Sequence, residues 1–132
     1  MKPVFVALLT ASLVLGNTAT GLAQSETALR VRTAGDLAEL CGASRTEAKG
    51  PERINYCHGY TEGGLEMELR REKAIKKNLI CIPTPAPTRS ATLTEFVGWV
   101  RSMPTHAAQP ALDGFFMFMS ERFPCGKEAG TK

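Results

Sequence analysis

Apolar residues recur at helical spacing along most of this chain, and no segment shows the alternation of a half-buried strand. The pattern predicts four helices. The first begins after Thr33, whose side chain can cap it, and Asp36 follows at the third helical position, where a negative charge suits the helix dipole. Gly42 is a natural stop, so this first helix spans about two turns.

The second predicted helix is long, running from about Asn55 to Lys77, and it contains three glycines: Gly59, Gly63 and Gly64. Each glycine costs about 1 kcal/mol relative to alanine within a helix. Glycines four residues apart allow another backbone to approach closely, so packing is the favoured interpretation. A glycine-rich phosphate loop is the alternative, but the segment lacks the required spacing, the lysine and a preceding strand.

A proline-rich segment, residues 82–91, separates the second helix from the third and is predicted to be an extended connector. Thr92 followed by Glu95 forms a capping-box pattern, which places the start of the third helix there. Pro104 ends that helix, and Pro110 at the first helical position opens the fourth. We therefore expect an all-α fold with four helices.

The N-terminal segment has a different pattern, with Lys2, an apolar run from Val4 to Leu15, and small or polar residues up to Ala23. This arrangement is typical of a secretory signal peptide, and the apolar run is too short to cross about 30 Å of hydrocarbon. We expect cleavage after Ala23, no stable membrane insertion, and one mature domain, residues 24–132, with its helical core at about 33–125.

All four cysteines lie after the predicted leader: Cys41, Cys57, Cys81 and Cys125. An even number of cysteines behind an export signal indicates a disulfide framework, because the periplasm and the extracellular space are oxidising. A domain this small buries only a modest core, so two covalent links would add needed stability.

Helix geometry favours one of the three possible pairings. From Cys57 to about Lys76 the second helix advances the chain ~28 Å, and the short segment onward to Cys81 returns at most ~17 Å. A disulfide requires Cα atoms within about 7 Å, so Cys57–Cys81 is disfavoured. Cys41 and Cys57 flank one loop, and antiparallel third and fourth helices bring Cys81 near Cys125. We therefore expect the disulfides Cys41–Cys57 and Cys81–Cys125.

The formal net charge is +3, and it falls to +2 once Lys2 is removed with the leader. The net charge is thus close to zero, and the sequence contains no nucleic-acid recognition motif, so there is no reason to expect nucleic acid as a partner. The densest cluster of charge, residues 70–77, suits the C-terminal end of a helix, where cations are favoured. Steering of an acidic partner is the alternative role for that cluster.

No catalytic site, metal site or cofactor is predicted. Cys57 and His58 with Cys41 or His106 have metal-ligand chemistry, but bridged cysteines are not available as thiolates. Ser102 and Ser120 lack a strand–turn–helix elbow or a defined oxyanion loop. The carboxylates of the second helix are better explained by surface ion pairs with nearby arginines: Glu62, Glu66 and Glu68.

Short motifs around the cysteines point to a family. They are Thr33-Ala34-Gly35-Asp36-Leu37…Leu40-Cys41, Cys57-His58-Gly59-Tyr60…Gly63, Cys81-Ile82-Pro83 and Phe123-Pro124-Cys125. In order and spacing this succession resembles the Rap/Tai immunity proteins, small exported proteins that neutralise peptidoglycan amidase effectors of type VI secretion. The resemblance implies an all-helical, disulfide-containing periplasmic inhibitor that is not an enzyme and often forms dimers.

The chain departs from the family pattern after Cys81-Ile82-Pro83, where the longer segment Thr84–Ala91 replaces a short glycine-containing turn. Because loops often carry recognition, this insert bears on the partner surface. Trp99 and Arg89 are the candidate partner-binding residues, with Tyr56 and Tyr60 as further candidates, since exposed aromatics and arginine favour binding hot spots. The alternative function is a periplasmic helical chaperone of the acid-chaperone type, which exposes apolar surface at low pH.

Overall fold

In a computed structural model, which describes residues 30–126, the chain forms five helices. They are α1 (Ala34–Cys41), α2 (Gly50–Ile75), α3 (Arg89–Ser102), α4 (Pro104–Ala107) and α5 (Ala111–Arg122). The described residues contain isolated bridges but no β-strand, so the all-α prediction is confirmed. The short helix α4 is additional to the four predicted helices. The predicted signal peptide and its cleavage site after Ala23 lie outside the described residues.

Helix α1 sits at the centre of the bundle and contacts α2, α3 and α5. The predicted cap is present: Thr33 Oγ1 accepts from the Asp36 amide at 3.1 Å, and Asp36 Oδ2 accepts from the Thr33 amide at 2.9 Å. The backbone amides of Thr33 and Arg32 both donate to the Asp36 carboxylate and lower its pKa. Leu37 is fully buried, so α1 joins the core along its whole inner face.

Helix α2 begins at Gly50 rather than near Asn55, and it ends at Ile75 rather than Lys77. The earlier start follows from Pro51, which suits the first turn of a helix because it has no amide to leave unpaired. Glycine is required at position 50, since an added Cβ would lie 1.8 Å from the carbonyl oxygen of Ser44.

The predicted capping box at Thr92 and Glu95 was wrong, because α3 begins one turn earlier. Thr88 is the cap residue, and its Oγ1 accepts from the Ala91 amide at 3.2 Å. Glu95 instead pairs with Arg122 of α5. Likewise, Pro110 caps α5 from outside the helix rather than occupying its first position.

The core is an aromatic cluster held between α3 and α5. Phe96 is fully buried, and its ring meets that of Phe115 edge-on at 5.3 Å and that of Phe118 at 5.6 Å. Edge-to-face pairs of this kind are favoured by the ring quadrupoles and add to the gain from apolar burial. The surrounding core side chains come from every helix longer than a single turn: Leu37, Leu40, Cys57, Leu93, Val97, Val100 and Met119.

Two disulfides join helix ends, in the same pairs that helix geometry favours. Cys41 is bonded to Cys57 with a Cα separation of 5.2 Å, which fixes α1 to the start of α2. Cys81 is bonded to Cys125 with a Cα separation of 4.9 Å, which fixes the connector to the chain just after α5. Cys57 is buried in the core, whereas Cys81 is exposed at the surface.

Candidate partner-binding site

An apolar cavity of about 390 Å³ lies beneath the segment that joins α2 to α3, and we call it the connector groove. Four parts of the chain supply its walls, so it exists only in the folded domain. The lining residues are Thr61, Glu62 and Leu65 of α2, Ile82, Ala86 and Pro87 of the connector, Arg89, Thr92 and Leu93 of α3, and Phe115 and Met119 of α5 with Phe123 just after it.

The connector is held in place over the groove at both of its ends. At the first end, Ile80 pairs with Pro124, the Cys81 amide donates to the carbonyl of Phe123 at 2.8 Å, and the disulfide adds a covalent link. At the second end, α3 begins at Arg89. Ile80 is buried, whereas Ile82 lines the groove and is 38% exposed.

An ion pair marks the rim of the groove. Arg89 donates from its guanidinium to Glu62 Oε1 at 2.7 Å, and both side chains are more than half exposed. Exposed pairs of this kind contribute about 0–1 kcal/mol, because water screens the attraction. Either charge can therefore be turned toward a partner at little cost to folding.

Trp99 lies elsewhere, about 15 Å along α3 from Arg89, and it does not line the groove. Its indole stacks on the His106 ring, with centroids 3.6 Å apart, and its Nε1 donates to Glu121 at 2.8 Å. The structure thus does not bring the two predicted partner-binding residues together. Half-buried Trp99 packs α3 against α4 and α5, whereas Arg89 lies at the rim of a cavity.

The two tyrosines stack on each other on α2, with ring centroids 5.9 Å apart. Tyr60 also packs against the core, and burial is the main reason that its pKa is raised. At Gly64 an added Cβ would lie 2.5 Å from Leu112, so packing within the domain requires glycine there. At Gly59 and Gly63 an added Cβ would meet no atom within 4 Å, so no other part of the described domain approaches these two positions.

Sequence reasoning missed most of the groove, because its apolar walls are far apart along the chain. Leu65, Leu93 and Met119 each look like ordinary core positions in the sequence. The available signal was the proline-rich insert, since an extended segment crossing between helices leaves space beneath it. Arg89, which the sequence did single out, is the candidate that the structure places at this site.

The residues proposed for other chemistry are engaged elsewhere. Cys41 and Cys57 are bonded to each other, and among residues 30–126 there is no group of three His, Cys, Asp or Glu side chains arranged to hold a metal. Ser102 and Ser120 each donate to a backbone carbonyl of their own helix. In the same part of the chain, no helix has the length and apolar character needed to cross a membrane.

Comparison with known proteins identifies the family. No curated protein and no solved structure is significantly similar to the chain. The family model of the Rap1a immunity proteins matches residues 33–125, from the cap of α1 to the last cysteine, which is well over half of the chain. This match confirms the family predicted from the cysteine motifs. The chain therefore belongs to the Rap1a immunity protein family.

Proposed function

We propose that this protein is exported to the periplasm and there binds and inhibits a peptidoglycan amidase delivered by type VI secretion. The observation that carries the proposal is the family match over residues 33–125. The two disulfides support an oxidising compartment, because such bonds are rarely kept in the cytosol. The inhibitor acts by occupying the toxin surface and needs no chemistry of its own.

The connector groove is the contact surface in this proposal. Its apolar walls suit an aliphatic or aromatic side chain of the toxin, and the exposed pair Arg89–Glu62 supplies polar contacts at the rim. Pro83, Pro85 and Pro87 stiffen the connector, so little conformational entropy is lost when a partner binds it.

A homodimer is included in the proposal, because the family resemblance implies one. Met67 is 67% exposed, and Tyr56 lies on the same side of α2 with Gly59 and Gly63. Without side chains at the two glycines, a second backbone can approach the helix closely. Sedimentation equilibrium over a hundredfold range of concentration, with wild type and Met67→Asp, tests this part: only the wild type should show the mass of a dimer.

The proposal predicts that a peptidoglycan amidase is encoded next to this gene, and binding to that amidase is the direct test. Purified mature protein should form a stoichiometric complex with that amidase and stop its release of peptide from peptidoglycan. In cells that express the amidase in the periplasm, co-expression should restore growth. An absence of complex and of protection would contradict the amidase target. Suppression of protein aggregation at acid pH, without amidase binding, would favour the chaperone alternative.

A matched pair of variants tests the groove. Ile82→Asp places a charge in the groove, and it should weaken the complex at least about tenfold, because burial of an isoleucine side chain contributes about 1.5–3 kcal/mol. Ile75→Asp makes the same change at a side chain that is 52% exposed and lies outside the groove. This control should bind like the wild type. Equal affinities of the two variants for the amidase would show that the toxin does not bind at the connector groove.

A further inference from the structure

A second cavity, of about 410 Å³, lies between the C-terminal half of α2 and α5, and we call it the acidic pocket. Three carboxylates line it, Glu68 and Glu72 from α2 and Asp113 from α5. Arg71 and Ser120 also line it, and apolar side chains complete the wall, chiefly Leu79 and Phe116. The volume is within the range of about 300–1,000 Å³ that small-molecule sites occupy.

Glu72 carries the strongest signal for a ligand. Its side chain is 2% exposed, although it is a carboxylate. One oxygen, Oε2, accepts from the amides of Leu79 at 2.9 Å and Ile80 at 3.3 Å. The other, Oε1, is buried without a hydrogen-bond partner among the described residues. Buried polar atoms in proteins are nearly always paired, so an orphan oxygen in a cavity wall indicates a donor that the protein itself does not supply.

The charges around the pocket do not cancel. Arg71 donates two hydrogen bonds to the Glu68 carboxylate, from Nε to Oε2 at 2.7 Å and from Nη2 to Oε1. These hydrogen bonds lower the pKa of Glu68. Glu68 is thus neutralised by its neighbour. Asp113 is exposed, and no ion pair within residues 30–126 includes it. Arg71 is the one cation of the lining, and it also lies within electrostatic reach of Glu72. Three carboxylates against one guanidinium still leave the pocket with unbalanced negative charge.

We propose that the acidic pocket binds a primary alkylammonium group. An ammonium has three N–H donors and no acceptor, so it can donate to Glu72 Oε1 while its charge faces Asp113. Its alkyl chain then lies against Leu79 and Phe116. Anions are disfavoured by the two carboxylates. A bound metal ion is disfavoured as well, because the described residues offer no group of three suitable ligands.

Two sources share this chemistry, a free amine and the side chain of a lysine on a partner protein. Only the second source rests on the proposed immunity function. The site itself can be tested without any toxin, so its failure is separable from failure of the proposed function.

The test uses the mature, oxidised chain labelled with ¹⁵N and titrated with butylammonium chloride. Saturable shifts are expected for the amides of Leu79 and Ile80 and for residues 113–120, with a dissociation constant in the millimolar range. Tetramethylammonium chloride at equal ionic strength carries the same charge but has no N–H donor, so it should give no saturable shift. Shifts that are equal for the two salts, or that spread over the whole surface, would overturn the proposal.

Two variants and a control locate the binding to these carboxylates. Glu72→Gln keeps one oxygen for the two backbone amides but turns an NH₂ donor toward the cavity, so butylammonium should bind at least about tenfold more weakly. Asp113→Asn removes an exposed charge without touching that hydrogen bonding and should weaken binding about threefold. Glu52→Gln makes the same charge change at the other end of α2 and should have no effect. If Asp113→Asn and Glu52→Gln bind butylammonium with the same affinity, the ammonium group does not bind in this pocket. This conclusion holds whether or not Glu72→Gln folds.

The amidase complex then distinguishes the source of the amine. If Glu72→Gln weakens that complex at least about tenfold and Glu52→Gln does not, the pocket receives a lysine of the toxin. If butylammonium binds but neither variant alters the complex, the pocket serves a free amine. If wild-type protein binds no amidase at all, the proposed function fails, and the butylammonium titration alone decides the pocket.

Discussion

The inner and outer faces of α2 differ in burial, in hydrogen bonding and in the number of neighbouring atoms. On the inner face, Cys57, Thr61 and Glu72 are buried, and each is tied down by a disulfide or by hydrogen bonds. On the outer face, Met67 is exposed and Gly63 meets no neighbouring atom. A helix of 26 residues is thus fixed to the domain along one side only. Stability and surface recognition can therefore be changed separately on this helix.

Breaking the covalent attachment of the inner face should have the largest effect. The double variant Cys41→Ala/Cys57→Ala opens a loop with a sequence separation of 16. We expect it to lower the free energy of unfolding by about 3 kcal/mol, through the greater entropy of the unfolded chain. Urea denaturation followed by circular dichroism measures the change. Glu66→Ala on the outer face is the control, and a loss there above about 0.5 kcal/mol would contradict the comparison.

Removing the Glu72 carboxylate should have the next largest effect. Glu72→Ala leaves the Leu79 and Ile80 amides without their acceptor, and we expect a loss of about 2 kcal/mol. Amide hydrogen exchange should show faster exchange at these two positions before global unfolding. Glu66→Ala, on the exposed side of the same helix, should leave exchange at Leu79 unchanged. Equal protection of Leu79 in both variants would show that Glu72 does not hold Leu79 and Ile80 in place.

The adjacent residues Gly63 and Gly64 test the difference between the two faces most directly. At a concentration where the protein is monomeric, Gly63→Ala should stabilise it by about 0.5–1 kcal/mol, because alanine is the better helix former and the added methyl group meets no atom of the same domain within 4 Å. Gly64→Ala should destabilise it by about 1 kcal/mol, because the methyl group would lie 2.5 Å from Leu112. Thermal unfolding of the two single variants measures the difference. Changes of the same sign would refute the assignment of Gly63 to the exposed side of the helix and Gly64 to the packed side.

The smallest expected effect concerns the two ion pairs that lie wholly within α2, Glu68–Arg71 and Glu66–Arg70. Arg71 lowers the pKa of Glu68 through its hydrogen bonds, so this pair stabilises the fold above the unfolded-state pKa, about 4.3. That contribution is lost as the pH falls through the lower, folded-state pKa. Glu68→Gln should therefore flatten the loss of stability below about pH 4. Glu66→Gln removes an exposed pair and should change stability by less than about 0.5 kcal/mol at any pH.

The parts of the fold that depend on local chemistry could be predicted from the sequence. Thr33 and Asp36 are three residues apart, so their reciprocal hydrogen bonds follow from helix geometry alone. The start of α3 could not be chosen in this way, because Thr88 and Thr92 offer the same capping chemistry. The structure uses Thr88, while the hydroxyl of Thr92 donates back to the Thr88 carbonyl.

The candidate sites were less predictable, because they depend on contacts between distant segments. Glu72 looks like one more charged residue in a basic run. Its burial depends on the left-handed turn at Lys76, which returns the chain so that Leu79 and Ile80 can donate to it. Arg89 could be singled out by its position in the insert. Its partner Glu62 lies on another helix, and no local pattern connects the two.

The positions of the disulfides also determine how the protein responds to proteases. The exposed loop at residues 43–49 lies within the ring closed by Cys41–Cys57, and the connector at residues 82–88 lies within the ring closed by Cys81–Cys125. A single cut in either segment leaves the two fragments covalently joined. Residues 76–80 lie outside both rings, so cleavage after exposed Lys76 or Lys77 is the cut that would separate α1 and α2 from the remaining helices. If the protein works outside the cytoplasm, as we propose, its resistance to degradation therefore depends most on this short segment, in which the amides of Leu79 and Ile80 are held by the Glu72 carboxylate.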